Sequence, residues 1–115
     1  MADRDSIPLS PAGFHILIAL AEGNRHGYAI MKDVAAVTAG EVQLNPGTLY
    51  TTIKRLLEDD LIREVDAPRE EESSDARRRY YSLTPAGRQT ARAEMERLRM
   101  MLRRASARLS PKPLG

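Results

Sequence analysis

This 115-residue sequence predicts a mainly α-helical domain with a small β-ribbon, continued by one long C-terminal helix. Three observations predict it. A capping residue followed by proline occurs at Ser10-Pro11, Asn45-Pro46 and Thr84-Pro85. That pair marks a helix start: the cap oxygen takes a free backbone N–H, and proline lacks the donor that would go unsatisfied at the first helical position. Two short runs of strand formers, at 61–65 and 79–83, flank a polar stretch with nothing to bury. Last, Ala91, Met95, Leu98, Leu102, Ala105 and Leu109 follow at spacings of 4, 3, 4, 3 and 4, a heptad seam.

Each element follows in order. Residues 1–9 read as a tail. The first helix opens at Pro11 and carries Phe14, Leu17, Ile18 and Ala21, with Ile16 and Leu20 on a second apolar face. A helix apolar on nearly all sides must be buried on nearly all sides. Glu22-Gly23-Asn24 ends it. A second helix starts near His26-Gly27, buries Ile30, Met31, Val34 and Val37, and stops before Gly40. The third, from Pro46, turns Leu49, Ile53, Leu56 and Leu57 inward and leaves Thr48, Thr51, Thr52, Lys54 and Arg55 outside. A two-stranded ribbon over about 62–83 follows, with an acidic tip that includes Glu70-Glu71-Glu72. The final helix runs over 84–109, because Pro111 and Pro113 forbid continuation, and 110–115 is a second tail. At 1.5 Å per residue such a helix is ~37 Å long, which overshoots so small a domain. Its seam predicts self-association, with Phe14 and Leu17 of the first helix adding to the interface. A helix folded back along its own core is the alternative.

Composition narrows the function. The absence of Cys removes thiolate nucleophiles, cysteine zinc sites and iron–sulfur clusters, and fits a reducing compartment. His15 and His26 sit on different predicted elements with nothing to complete a metal set. No glycine-rich phosphate loop and no Gly-x-Ser-x-Gly elbow occurs. No signal-peptide pattern precedes the domain, and the longest apolar run, Ile16 to Ala21, falls far short of the ~20 residues of a membrane span. The sequence therefore predicts a cytoplasmic, cofactor-free, non-enzymatic protein that does not engage a membrane.

Charge is unevenly placed. Residues 58–75 hold nine acids against Arg63 and Arg69, whereas 77–115 hold eleven basic groups against Glu94 and Glu96. Fifteen of the eighteen cations are Arg, whose planar fork pairs with phosphate oxygens. The order of three helices followed by an Arg-bearing ribbon is that of a winged helix-turn-helix, placed at 10–83. In such a domain the third helix presents its N-terminal residues to the major groove of double-stranded DNA. Here these are Pro46, Gly47, Thr48 and Tyr50, with Thr51, Lys54 and Arg55 one turn on. Arg77, Arg78 and Arg79 of the ribbon are offered to phosphate or the minor groove; a merely soluble hairpin is the alternative.

The same residues resemble a known family. His26-Gly27-Tyr28-Ala29-Ile30, Gly47-Thr48-Leu49-Tyr50 leading into Lys54-Arg55-Leu56, Leu61-Ile62, and Arg79-Tyr80-Tyr81-Ser82-Leu83-Thr84-Pro85-Ala86-Gly87-Arg88 together look like the PadR family of transcriptional regulators. The length resembles its short class, with a single C-terminal dimerisation helix. The resemblance implies a homodimeric DNA-binding repressor, often released from its operator by a small molecule. It implies a phosphate contact for Tyr50 while its ring packs, a similar role or plain packing for Tyr28, and a close helix approach at Gly27. Of Tyr80 and Tyr81, one is expected to face the core and the other solvent or DNA. Asp60 stands where the family usually has glycine, at a left-handed turn that Asp tolerates better than most residues. Another reading is a winged-helix protein-interaction regulator that uses the acidic 58–75 surface and binds no DNA itself.

Overall fold

The computed structural model describes residues 9–68 and 79–111. Four helices and three strands follow in the order α1 (Pro11–Ala21), β1 (Arg25–His26), α2 (Gly27–Val37), α3 (Pro46–Glu58), β2 (Ile62–Val65), β3 (Tyr80–Leu83) and α4 (Pro85–Leu109). The three cap-and-proline pairs start α1, α3 and α4: Ser10 Oγ, Asn45 Oδ1 and Thr84 Oγ1 accept from the third backbone N–H onward at 3.0, 2.8 and 2.9 Å. α2 is capped by an imidazole, His26 Nδ1 accepting from Ala29 N–H at 3.1 Å.

α1 lies at the centre, packing against α2, α3, α4 and β3. Its Ile16, Leu17 and Leu20 meet Ile30 and Val34 of α2, Leu49, Ile53 and Leu56 of α3, and Ile62 and Tyr81 of the sheet in one buried cluster. Ile18 remains 41% exposed, so one side of this apolar helix stays open. The turn that joins α3 to β2 also anchors α4. Asp60 adopts φ 60°, the left-handed conformation expected there. Its carbonyl accepts the Thr84 hydroxyl at 2.7 Å, while Leu61 O accepts Thr84 N–H at 3.2 Å. A Cβ on Gly87 would run into the Leu61 carbonyl, so only glycine lets the first turn of α4 come this close.

Four expectations need correction. The sheet has three strands in the order β1-β3-β2, all antiparallel, where the sequence predicts a ribbon of two. β1 is two residues long and exists by pairing, Arg25 with Tyr81 and His26 with Tyr80, so no periodicity could announce it. With β3 thereby central, Tyr80 and Tyr81 are both buried: Tyr81 belongs to the main core, and Tyr80 on the other face meets the His26 ring edge-on at 5.2 Å. Leu17 is fully buried within its own chain and so unavailable to a partner; Ile18 occupies the open side instead. Val37 is exposed, because α2 ends on it and the chain turns away through left-handed Ala39 and Gly40.

On α4 the buried face is Gly87 and Glu94, with Ala91, Leu98 and Ala105 partly covered. The Glu94 carboxylate is gripped by Arg97 through Nε at 2.9 Å and Nη2 at 2.6 Å, which holds it below the usual carboxylate range against the opposing effect of burial. The remaining seam residues point away: Met95, Leu102 and Leu109 are exposed, Leu102 at 69% and Leu109 at 81%.

Candidate nucleic-acid interface

α3 is built to show one face. Leu49, Ile53 and Leu56 fix its inner side in the core, so Gly47, Thr48, Thr51, Lys54 and Arg55 are all exposed on the remainder. A Cβ on Gly47 would meet nothing but its neighbour Asn45 Oδ1 at 3.3 Å, so the start of the helix is open to a bulky visitor. The first-turn N–H groups and the helix dipole give that end a positive character. Small hydroxyls at Thr48 and Thr51 and cations at Lys54 and Arg55 are groups that read base edges and hold phosphates.

Tyr50 is half exposed, and its hydroxyl lies over Gly27: a Cβ there would stand 2.5 Å from Tyr50 Oη. The missing side chain at Gly27 thus lets α3 lean on the start of α2, the close approach expected of that residue. Beside it, Tyr28 projects from the first turn of α2, half exposed, with its ring stacked at 6.4 Å from that of His26. Lys32, one turn on, holds Nζ 5.4 Å from the Tyr28 ring centroid. A row of rings, Tyr28 to His26 to Tyr80, therefore ties this edge of α2 to the sheet. Sequence reasoning missed Lys32, an exposed cation beside Tyr28, although its i,i+4 spacing from that residue was visible.

The wing is described only at its base. Arg77 and Arg78 lie outside the described residues, as does Glu70-Glu71-Glu72. Arg79 is exposed and its Nε lies 3.6 Å from Glu64 Oε2. Burial raises the pKa of the Tyr81 hydroxyl, Glu64 and Tyr50 raise it further, and Arg79 opposes them. Tyr50, Glu64 and Arg79 thus lie near enough to Tyr81 to act on its charge. Arg25 braces the same region from behind: its Nε donates to Ala19 O at 2.9 Å and its Nη2 lies 3.5 Å from Asp33 Oδ1, which fixes α1, β1 and α2 to one another.

The expected self-association residues form a separate surface. Met95, Leu102 and Leu109 are exposed along α4, Leu98, Ala105 and Ala91 are half covered, and Phe14 is partly buried on α1. Among the described residues no group of His, Asp and Glu is placed to hold a metal ion. No helix among them is long and apolar enough to cross a membrane.

Comparison with known proteins agrees with this architecture. The family model for the transcriptional regulator PadR-like family matches residues 16–93. A PadR family transcription regulator from Clostridium difficile superposes with a TM-score of 0.74 at 27% identity, covering 88% of this chain and 100% of that one. A transcriptional regulator from Clostridium thermocellum gives 0.73 at 24% identity, covering 87% and 90%. A 37.1 kDa protein in a transposon of Streptomyces fradiae is 40% identical over 79 residues, 69% of this chain, which spans only 20% of that relative's length. The match over residues 16–93 takes in the second half of α1, α2, α3, the wing and the first turns of α4, and on it the chain belongs to the PadR-like family of transcriptional regulators.

Proposed function

We propose that two copies of this chain form a homodimeric repressor that binds a pseudo-palindromic DNA operator, in the cytoplasm, and leaves it when a small molecule binds. The observation that carries the DNA reading is the outward face of α3, where Gly47, Thr48, Thr51, Lys54 and Arg55 stand exposed. In the major groove, Thr48, Thr51 and Lys54 face base edges, whereas Tyr50, Arg55 and Arg79 hold phosphates, joined by Tyr28 and, from the wing, Arg77 and Arg78. Pairing rests on the exposed leucines of α4. Leu102 and Leu109 would leave an apolar stripe in water in a monomer, and burying the exposed part of each against a second copy is worth roughly 1–2.5 kcal/mol. The partly buried Phe14 and the open Ile18 of α1 extend that surface. An effector lodged between the paired helices would meet Phe14, Met95 and Met101, and would release DNA by changing the spacing of the two α3 helices.

The test is a salt titration of operator binding. Phosphate contacts release counterions, so each lost contact flattens the logarithmic salt slope by about one unit. Arg55→Ala should weaken binding to all DNA and flatten the slope. Thr51→Ala should leave the slope alone and relax discrimination at one position of each half-site, where a good base contact is worth about 1–3 kcal/mol. Identical slopes for Arg55→Ala and the parent would contradict this assignment of roles.

A further inference from the structure

Of the two arginines described on the wing, Arg63 and Arg79, Arg79 is already paired with an acid. β2 and β3 pair in a register that sets Glu64 opposite Tyr81, so Arg79, two residues before Tyr81, is the diagonal neighbour of Glu64 on the same face. Diagonal partners across an antiparallel pair lie about 7–8 Å apart at Cα, within reach of long side chains. The ion pair at 3.6 Å is what that register dictates. Arg79 is 72% exposed and Glu64 48%, so water competes with each of them, and a pair of this kind is worth about 0–1 kcal/mol.

We propose that Glu64 competes with DNA phosphate for Arg79, an intramolecular rival that sets how tightly, and up to what salt concentration, the wing engages the backbone. The inference rests on the DNA-binding reading above. While the pair is closed, Arg79 adds no net charge to the base of the wing and neutralises no phosphate. A phosphate offers the Arg79 guanidinium a second acceptor of the same geometry, and a weak exposed pair yields to it. Glu64 is then left facing an anionic backbone, so every wing contact is made against its charge. The opposite role, in which Glu64 orients Arg79 for the phosphate, predicts the opposite sign of effect.

The experiment compares the full chain with Glu64→Gln, Arg79→Gln and the double variant, on one operator duplex at several salt concentrations. Glu64→Gln keeps the size of the side chain and removes its charge. It should bind about three- to fivefold more tightly per protomer at low salt, the ceiling for an exposed pair, or roughly 10- to 25-fold for the dimer on its operator. Its salt slope should steepen by up to about 0.9 per protomer, one further phosphate on each half of the operator. In the Arg79→Gln background the same substitution should give no gain. Unchanged or weaker binding by Glu64→Gln overturns the proposal. So does a gain that persists without Arg79, since that would be general repulsion by a carboxylate. The four thermal midpoints should lie within about 4–8 °C of one another, since the pair is worth no more than about 1 kcal/mol. A parent protein that binds no DNA at low salt overturns both this inference and the reading beneath it, whereas a parent that binds while Glu64→Gln gains nothing overturns this inference alone.

Discussion

Leu102→Ala would separate the proposed pairing surface from the fold. Leu102 is 69% exposed in the single chain, so truncating it removes little from the monomer, and alanine is the best helix former. In a two-fold dimer the residue is lost from both sides of the interface. Full burial of a leucine is worth roughly 1.5–3 kcal/mol, and about two thirds of that remains to be gained on pairing, or about 1–2 kcal/mol per protomer. The dimer should therefore lose about 2–4 kcal/mol, which raises its dissociation constant roughly 30- to 700-fold at 1.4 kcal/mol per decade. Met100 supplies the control. It is 53% exposed but lies two residues, about 200°, round the helix from Leu102, so Met100→Ala should leave the dimer intact. Sedimentation equilibrium over a concentration series reads both variants. A monomeric parent at micromolar concentration, or equal effects of Leu102→Ala and Met100→Ala, would refute the reasoning.

Other predictions concern the joints of the fold. Gly27→Ala should lower DNA affinity with little loss of thermal stability, because its Cβ displaces only the tip of Tyr50; binding and melting measured together separate the two effects. Thr84→Val should cost about 1–3 kcal/mol in denaturant unfolding, since a buried hydroxyl that caps α4 and donates to Asp60 O is lost while its partners stay in place. Glu94 should add an acid-sensitive component to stability. Its pKa is lowered in the folded chain, chiefly by the Arg97 hydrogen bond, so its contribution is present above the ordinary glutamate range near ~4.3 and fades as pH falls through and below that range. Glu94→Gln should flatten the melting curve's pH dependence there and leave its shape near neutrality alone.

Local signals in the sequence were strong where the chain makes its own structure. Three cap-and-proline pairs located α1, α3 and α4 because a capping hydrogen bond spans only three residues. The inward set of α3 followed from helical spacing. What the sequence hid is made by distant partners. β1 has no pattern of its own and is held by β3, more than fifty residues later. Tyr80 therefore could not be placed by alternation, which assumes an open outer face. Leu17 and Ile18 are both apolar and adjacent, and only the packing of α2, α3, α4 and β3 around α1 decides which is buried. The heptad seam marked the apolar residues of α4 but not Glu94, a carboxylate made tolerable in a buried position by Arg97 one turn on. At the candidate interface, the exposed residues of α3 were legible as those left over from the core. The Glu64–Arg79 pair was not, since it depends on strand register.

Selection of bound duplexes from a random-sequence DNA library, using the purified full chain, tests the central claim most directly. The account predicts enrichment of an inverted repeat whose half-sites lie about one helical turn, ~10 bp, or a multiple of it apart, with Thr48→Ala blurring one position in each half. Recovery of no common sequence, with binding to all duplexes equally weak at low salt, would contradict it and turn attention to the acidic surface of Glu58, Asp60, Glu64 and Asp66 as a site for protein partners.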